Sequence, residues 1–174
     1  MSQLMMPISG RDHIQGPDNA PVSLLEYGDY ECPHCREAYP IVQAIQRHLG
    51  DQLRFAYRHF PLTQIHPHAE HAAEAAEAAG AQGRFWEMHD LLFENQGALN
   101  DSHLLAYAAT LKLNARKFGE ALLEHTYAPK VREDFAAGVR GGVNGTPAFF
   151  INGVRHDGSW DIQTLTAAIL DQLE

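Results

Sequence analysis

The chain contains two cysteines, Cys32 and Cys35, and only a proline and a histidine separate them. A disulfide between them would close a very small loop, which stabilises a fold much less than a long loop does. Thiols at this spacing are therefore better suited to reactivity than to holding a structure together. The pattern predicts a redox pair in which one thiol attacks a disulfide and the other resolves the mixed disulfide that forms.

The residues around the pair predict a strand followed directly by a helix. A short apolar run over residues 22–27 is typical of a buried strand, and apolar positions recur at helical spacing after the pair. Cys32 then falls at the N-cap, where unpaired amides and the helix dipole favour a thiolate, so we expect its pKa to be low. Pro33 suits the first helical position, and His34 adds a hydrogen-bond donor beside the sulfur. Cys35, one turn on, is the expected resolving thiol.

The remaining elements follow from periodicity and turn signals. Residues 53–60 form a second apolar run, and a helix between two such runs indicates parallel strands with a right-handed crossover. Residues 68–140 have the pattern of four or five short helices. Asn152 and Gly153 between apolar runs predict a hairpin, and residues 161–173 predict a last helix. The order is therefore β-α-β, helices, then β-β-α.

Several of these features occur together in one known family. The motif Cys-Pro-His-Cys after a strand, a helical insertion, and Gly145-Thr146-Pro147 before a hairpin resemble the DsbA-like thiol:disulfide oxidoreductases. The resemblance covers about residues 20–173. It implies dithiol–disulfide exchange with protein thiols and disulfides as substrates and without a cofactor. Glutathione or a thioredoxin-type system is the redox partner to consider.

The resemblance also implies a fold class and a division of the chain. The class is α/β, with a thioredoxin-like fold and an all-α domain inserted between its βαβ and ββα halves. The thioredoxin-like part is expected at residues 14–61 and 143–174. The helical insertion is expected at residues 62–142.

The family places a cis-proline loop opposite the dithiol, and Pro147 occupies that position. Proline has no N–H, so the backbone of Thr146 is left beside Cys32 and can pair with an extended substrate as an added strand would. Thr146 and Pro147 are accordingly the expected substrate-binding residues.

Glu26 lies six residues before the first cysteine, where the family often has a buried acid beneath the active site. A buried carboxyl group with a raised pKa could carry a proton to and from Cys35. Arg58 and His59, on the predicted neighbouring strand, are candidates to pair with this carboxylate.

Two alternatives use the same residues differently. A metal-binding or redox-sensor module could combine Cys32 and Cys35 with His66, His68 and His71, because a zinc site without a second cysteine pair needs histidines. A glutathione-dependent isomerase or transferase on the same architecture is less favoured, because those relatives usually have serine at the nucleophile position. The preferred interpretation needs no metal.

Composition restricts the class of partner and the location. The 174 residues carry a formal net charge of −9, which disfavours nucleic acid and anionic membranes as partners. The first residues lack the charged and apolar regions of a signal peptide. We therefore expect a cytoplasmic protein, or a periplasmic or secreted one if a leader has been removed. Location also determines whether the dithiol is kept reduced or oxidised.

Overall fold

A five-stranded sheet lies at the centre of the computed structural model, which describes residue 3 and residues 6–174. Strands β2 and β3 are parallel, and the other neighbouring pairs are antiparallel. In the spatial order β1-β3-β2-β4-β5, the strands are β1 (His13–Gln15), β2 (Val22–Gly28), β3 (Leu53–His59), β4 (Ala148–Ile151) and β5 (Val154–His156).

Seven α-helices complete the described fold, and five of them lie in sequence between β3 and β4. They are α1 (Pro33–Leu49), α2 (Ala69–Gly80), α3 (Phe85–Glu94), α4 (Asp101–Thr110), α5 (Ala115–Leu123), α6 (Ala128–Arg140) and α7 (Ile162–Leu170). The predicted thioredoxin-like α/β fold with a helical insertion is confirmed. None of the described helices has the length and apolarity of a membrane-spanning segment.

Strand β2 positions the site because its two faces meet different layers. Leu24 belongs to the larger buried cluster that also contains Cys35 and residues of α1, α2 and α3. Leu25 and Tyr27 belong to a second cluster on the opposite face. Since side chains alternate along a strand, Glu26 points to the same side as Leu24, beneath α1. This alternation brings a carboxyl group under the dithiol.

The boundaries 14–61, 62–142 and 143–174 remain a prediction. The larger buried cluster is continuous from the sheet into the inserted helices, where it includes Ala72, Met88 and Phe118. The two parts therefore share one core instead of meeting at a thin interface.

Candidate active site

Cys32 is the N-cap of α1, and Pro33 is the first residue of the helix. The Cys32 side chain is nearly buried, and its amide donates to the carbonyl oxygen of Asp29 at 3.1 Å. The backbone N–H groups of His34 and Cys35 contribute to stabilising the Cys32 sulfur as a thiolate. A proline at the first position costs no hydrogen bond, so the helix begins with its remaining amides directed at the thiol.

The Cys32 thiol has a pKa lowered to about 5. The largest cause is the hydrogen bond from the Cys35 thiol, and the side chain of Thr146 and the amides of Cys35 and His34 add to it. Burial opposes the shift but does not cancel it. At neutral pH the sulfur is therefore a thiolate, which is the nucleophilic form.

Cys35 behaves in the opposite way. Its side chain is fully buried, and burial, the hydrogen bond to Cys32 and the charge of Glu26 raise its pKa well above the ordinary value. The two cysteines are both unpaired thiols here. The pair thus consists of one thiolate with a lowered pKa and one neutral thiol with a raised pKa, which are the properties of a nucleophile and a resolving group.

The imidazole of His34 does not lie over the sulfur. Its side chain is mostly exposed, and Nδ1 lies 3.9 Å from a carboxylate oxygen of Glu37. The ring also meets Trp160 edge-on, with centroids 6.4 Å apart. His34 therefore acts on Cys32 through its backbone N–H, while its ring faces solvent beside an aromatic side chain.

The predicted cis peptide bond joins Thr146 to Pro147, immediately before β4. The carbonyl oxygen of Thr146 lies 3.7 Å from the Cys32 sulfur. Thr146 and Pro147 are both partly exposed, so the loop is open to solvent where it faces the dithiol.

Glu26 is buried beneath the dithiol, and its pKa is raised to about 8 by burial and by the charge of Cys32. It borders a cavity of about 60 Å³, which has room for a few water molecules. The polar residues that line this cavity with Glu26 are Gln15, Tyr39, Gln43, Gln46, His89 and Asp90. The carboxyl group of Glu26 thus borders a space with a largely polar lining.

The expected partners of Glu26 bind elsewhere. Arg58 lies on the opposite face of β3 and forms a two-point ion pair with Asp12, at 2.8 and 2.9 Å. His59 lies 2.8 Å from Glu77 on α2. Neither side chain pairs with Glu26, so nothing from these two residues opposes the effect of burial on its carboxyl group.

Tyr57 is a neighbour of Glu26 that the sequence did not indicate. The two residues are directly opposite each other in β2 and β3. The Tyr57 hydroxyl is buried and has no hydrogen-bond partner among the described residues. A Cβ atom added at Gly28 would lie 2.6 Å from this hydroxyl and 2.8 Å from Oε2 of Glu26. Glycine at position 28 thus leaves the space that both polar groups use.

Gln96 and Asp29 hold the loop that carries Cys32. The Gln96 side chain donates to the carbonyl oxygens of Tyr30 and Cys32, at 3.0 and 2.8 Å. The Asp29 carboxylate accepts from the amide of Leu62 at 2.9 Å. These contacts join the loop to distant segments, and no local sequence pattern could have revealed them.

The alternative site built from the cysteines and the nearby histidines is not assembled. His66 bonds to Asp29 at 2.8 Å, His71 bonds to Asp101 at 2.6 Å, and His68 is exposed. Within residue 3 and residues 6–174, no metal-binding group of three combines these histidines with the thiols. The side chains diverge because each has its own carboxylate partner or faces solvent.

Solved structures with the same fold include redox proteins. BdbD from Bacillus subtilis, in its oxidised form, aligns with a TM-score of 0.81 at 25% identity and covers 94% of this chain and 93% of its own. Wolbachia pipientis alpha-DsbA1 aligns with a TM-score of 0.81 at 22% identity, over 97% of this chain and 94% of its own.

Curated relatives correct the expected location. The Na(+)/H(+) antiporter NhaA 1 of Salinispora arenicola is 48% identical over 95% of this chain, and NhaA 3 of Salinispora tropica is 46% identical over 96%. The chain spans 26% of the length of each of these two relatives. The expectation of a cytoplasmic protein is wrong, because closely similar sequences are parts of proteins named as ion antiporters. The charge and hydropathy of this chain alone could not have predicted that similar sequences are parts of antiporters.

The sequence profile of the family described as Thioredoxin matches residues 9–171, which is most of the chain. This match agrees with the strand order, the helical insertion and the dithiol at the start of α1. The chain therefore belongs to the thioredoxin family, as a DsbA-like thiol–disulfide oxidoreductase with a Cys32–Cys35 pair.

Proposed function

We propose that the chain introduces disulfides into protein substrates, with Cys32 as the sulfur that exchanges with the substrate and Cys35 as its disulfide partner and leaving group. The observation that carries the proposal is the opposite shift of the two thiol pKa values. A stabilised Cys32 thiolate favours the reduced form of the pair, so the Cys32–Cys35 disulfide is a good oxidant.

The magnitude of this effect follows from the Cys32 pKa. At pH 7 the lowering from 9.0 to about 5 favours the thiolate over an ordinary thiol by about two powers of ten. For a two-electron couple, about 30 mV corresponds to each power of ten. The shift therefore makes the pair more oxidising by about 60 mV.

The exchange proceeds in two displacements. A substrate thiolate attacks the Cys32 sulfur of the Cys32–Cys35 disulfide, the S–S bond breaks, and Cys35 leaves and takes up a proton. A second substrate thiolate then attacks the substrate sulfur of the mixed disulfide, and Cys32 leaves as the stabilised thiolate. The substrate loses two electrons and the pair gains them, so the chain must be reoxidised by a separate disulfide or quinone-type oxidant.

We assign the proton that Cys35 receives to Glu26. A carboxyl group with a pKa of about 8 is protonated at neutral pH and can donate to the leaving Cys35. The cavity beside Glu26 supports reprotonation from solvent. Tyr57 borders the same carboxyl group and can orient it or a water molecule beside it.

The loop before β4 is the proposed binding site for the substrate backbone. Pro147 has no amide hydrogen, and the amide of Thr146 makes no backbone hydrogen bond among those described outside helices and strands. An extended segment can therefore pair with Thr146 as an added strand, which places its cysteine beside Cys32.

An apolar groove lies beside the segment that leads into this loop. It has a volume of about 400 Å³, and Asn144 at its rim is two residues from Thr146. Ile65 and Val139 in the groove are 68% and 52% exposed, which is unusual for large apolar side chains. We assign this groove to apolar side chains of an unfolded substrate.

The antiporter relatives support a proposal about the cellular compartment in which the exchange reaction takes place. We infer that the chain works as a membrane-associated domain on the extracytoplasmic side, because protein disulfides form and persist in oxidising compartments. A cysteine pair whose disulfide is a good oxidant is suited to that side of the membrane.

Trapping experiments test the proposal. Reduced, unfolded protein is mixed with oxidised wild type, Cys32→Ser or Cys35→Ser chain. Wild type should oxidise the substrate. Cys35→Ser, activated as a mixed disulfide at Cys32, should accumulate a covalent complex with a substrate variant that has a single cysteine, because neither Cys35 nor a second substrate thiol can release it. A Cys32→Ser chain that still oxidises substrate would overturn the proposal.

A further inference from the structure

A second cluster of chemically competent side chains lies in the helical insertion, apart from the dithiol. His71 and Glu74 are on α2, and His125 follows the end of α5. Each can offer one ligand atom, and these atoms lie within 4.8 Å of one another. His71 and Glu74 are three residues apart, which places them on the same helix face. Within the described part of the chain, this is the group of three that has the spacing of a metal site.

Glu74 is a buried carboxylate with little compensation. Its side chain is 3% exposed, and both oxygens face Nδ1 of His125, at 3.1 and 3.2 Å. The His125 side chain itself is 62% exposed. A buried charge is stable only when it is paired or coordinates a cation. The largely exposed imidazole of His125 is a weak partner for the buried Glu74 carboxylate, and a bound cation would be a stronger one.

His71 is already oriented as a metal ligand is. Its Nδ1 lies 2.6 Å from Oδ1 of Asp101, so this nitrogen carries the proton and donates to the carboxylate. Metal-binding histidines almost always donate their other ring N–H to such an acceptor. The remaining nitrogen, Nε2, is the one expected to bind the ion, and the carbonyl oxygen of Leu122 lies 3.4 Å from it.

The backbone of His125 is held in an uncommon conformation. Its φ is +53°, in the left-handed region that residues other than glycine rarely adopt. This is the conformation of the residue that follows many helix ends, and the amides of His125 and Thr126 cap α5 by donating to the carbonyl oxygens of Leu122 and Ala121. The His71 and His125 ring centroids are 5.6 Å apart.

We propose that His71, Glu74 and His125 bind one divalent transition-metal ion of the zinc type, which joins α2 to the α5–α6 turn. Two imidazoles and a carboxylate suit zinc and disfavour magnesium or calcium, which prefer oxygen ligands. Ligands about 2.0–2.1 Å from a tetrahedral ion are about 3.3 Å apart. Nδ1 of His125 and Oε1 of Glu74 are 3.1 Å apart, close to this value, and the ligand atom of His71 lies within 4.8 Å of both.

The three ligands leave one tetrahedral position for water or for the nearby carbonyl oxygen. Because two elements distant in sequence supply the ligands, the ion would stabilise the insertion as a cross-link does. This role is independent of the exchange reaction, so the two proposals can fail separately.

The test is zinc titration of the oxidised chain, in which the two cysteines are paired and do not bind metal. We expect one zinc ion per chain by calorimetry and an increase in the thermal midpoint. His125→Ala, at an exposed position, should abolish both effects. Asp101→Asn should weaken affinity about 10- to 100-fold, since it removes only the orienting carboxylate. His48→Ala, at an exposed histidine of α1, is the control and should match wild type.

Two outcomes would overturn the proposal. One is that oxidised wild type binds no zinc in stoichiometric amount, in which case the cluster forms ion pairs only. The other is that His125→Ala binds zinc as tightly as wild type, in which case the ion is held elsewhere.

Discussion

The sulfur of Cys32 lies 3.7 Å from the carbonyl oxygen of Thr146, a residue 114 positions further along the chain. The antiparallel pairing of β2 with β4 brings the two segments together. The nucleophile and the proposed binding loop therefore face each other across one narrow gap. A substrate strand that pairs with Thr146 would have its own sulfur beside Cys32.

The His34 backbone amide should contribute more to thiolate stability than its imidazole does. His34→Pro removes the N–H that points to Cys32, while proline at the second helical position is sterically acceptable. A hydrogen bond to a charged group is worth about 1.5–3 kcal/mol, so we predict that the Cys32 pKa rises by about one to two units. Ultraviolet titration of the thiolate measures it.

His34→Ala is the matched control, because it removes the ring and keeps the amide. Its Cys32 pKa should change much less than that of His34→Pro. Equal shifts in the two variants would mean that the exposed ring, and not the backbone, stabilises the thiolate.

Glu26→Gln should slow the release of Cys35 as a leaving group. We predict a rate about 100-fold lower than wild type at pH 7, the lower end of the usual contribution of a positioned acid. The wild-type rate, divided by the concentration of the substrate thiolate, should fall as pH rises through about 8, where Glu26 loses its proton, and the variant should lack this inflection. Stopped-flow kinetics with a small dithiol over a pH series provides the measurement. An unchanged pH profile would exclude Glu26 as the donor.

The stability difference between the reduced and oxidised chains should depend on pH. The folded Cys32 pKa is depressed, from 9.0 to about 5, so its stabilisation is complete above pH 9 and is lost as pH falls through about 5. As pH rises from about 5 to about 9, the free energy of unfolding of the reduced form should therefore increase by about 2–5 kcal/mol relative to that of the oxidised form. Denaturant unfolding of both forms measures the difference, and a constant difference across this window would contradict the prediction.

Charged substitutions in the apolar groove should affect protein substrates selectively. Ile65→Asp and Val139→Asp should each lower kcat/KM for an unfolded protein about tenfold, because about 1.4 kcal/mol of apolar contact is lost. Oxidation of a small dithiol should not change. Leu123→Asp, at an apolar residue that is 81% exposed and outside the groove, is the control. Equal losses for both substrates would indicate damage to the dithiol site instead of lost binding.

The sequence predicted the framework well because the framework depends on local signals. The first helix was expected after Cys32 and is found at Pro33–Leu49, and the two long strands differ from expectation by one residue at their ends. β1 was missed because its three half-buried residues have no alternating pattern. Short edge strands gain their identity from the neighbour they pair with.

The site was only partly predictable for a similar reason. The dithiol and Pro147 lie within recognisable motifs, whereas Tyr57 and Gln96 approach the site through strand register and helix packing. Arg58 was a candidate to pair with Glu26 because it lies on the neighbouring strand. Side chains alternate along that strand, however, so Arg58 lies on the opposite face and pairs with Asp12. Contacts of this kind depend on tertiary geometry that one sequence does not encode locally.

The central claim is that Cys32 is a stable thiolate at neutral pH, and ultraviolet titration of the reduced chain tests it most directly. Wild type should show one thiolate transition near pH 5, and Cys32→Ser should show none in this region because Cys35 stays protonated. Cys35→Ser should keep a thiolate transition below the ordinary value, because Cys32 is still present at the start of α1. A wild-type transition near the ordinary value of 9.0 would contradict the account.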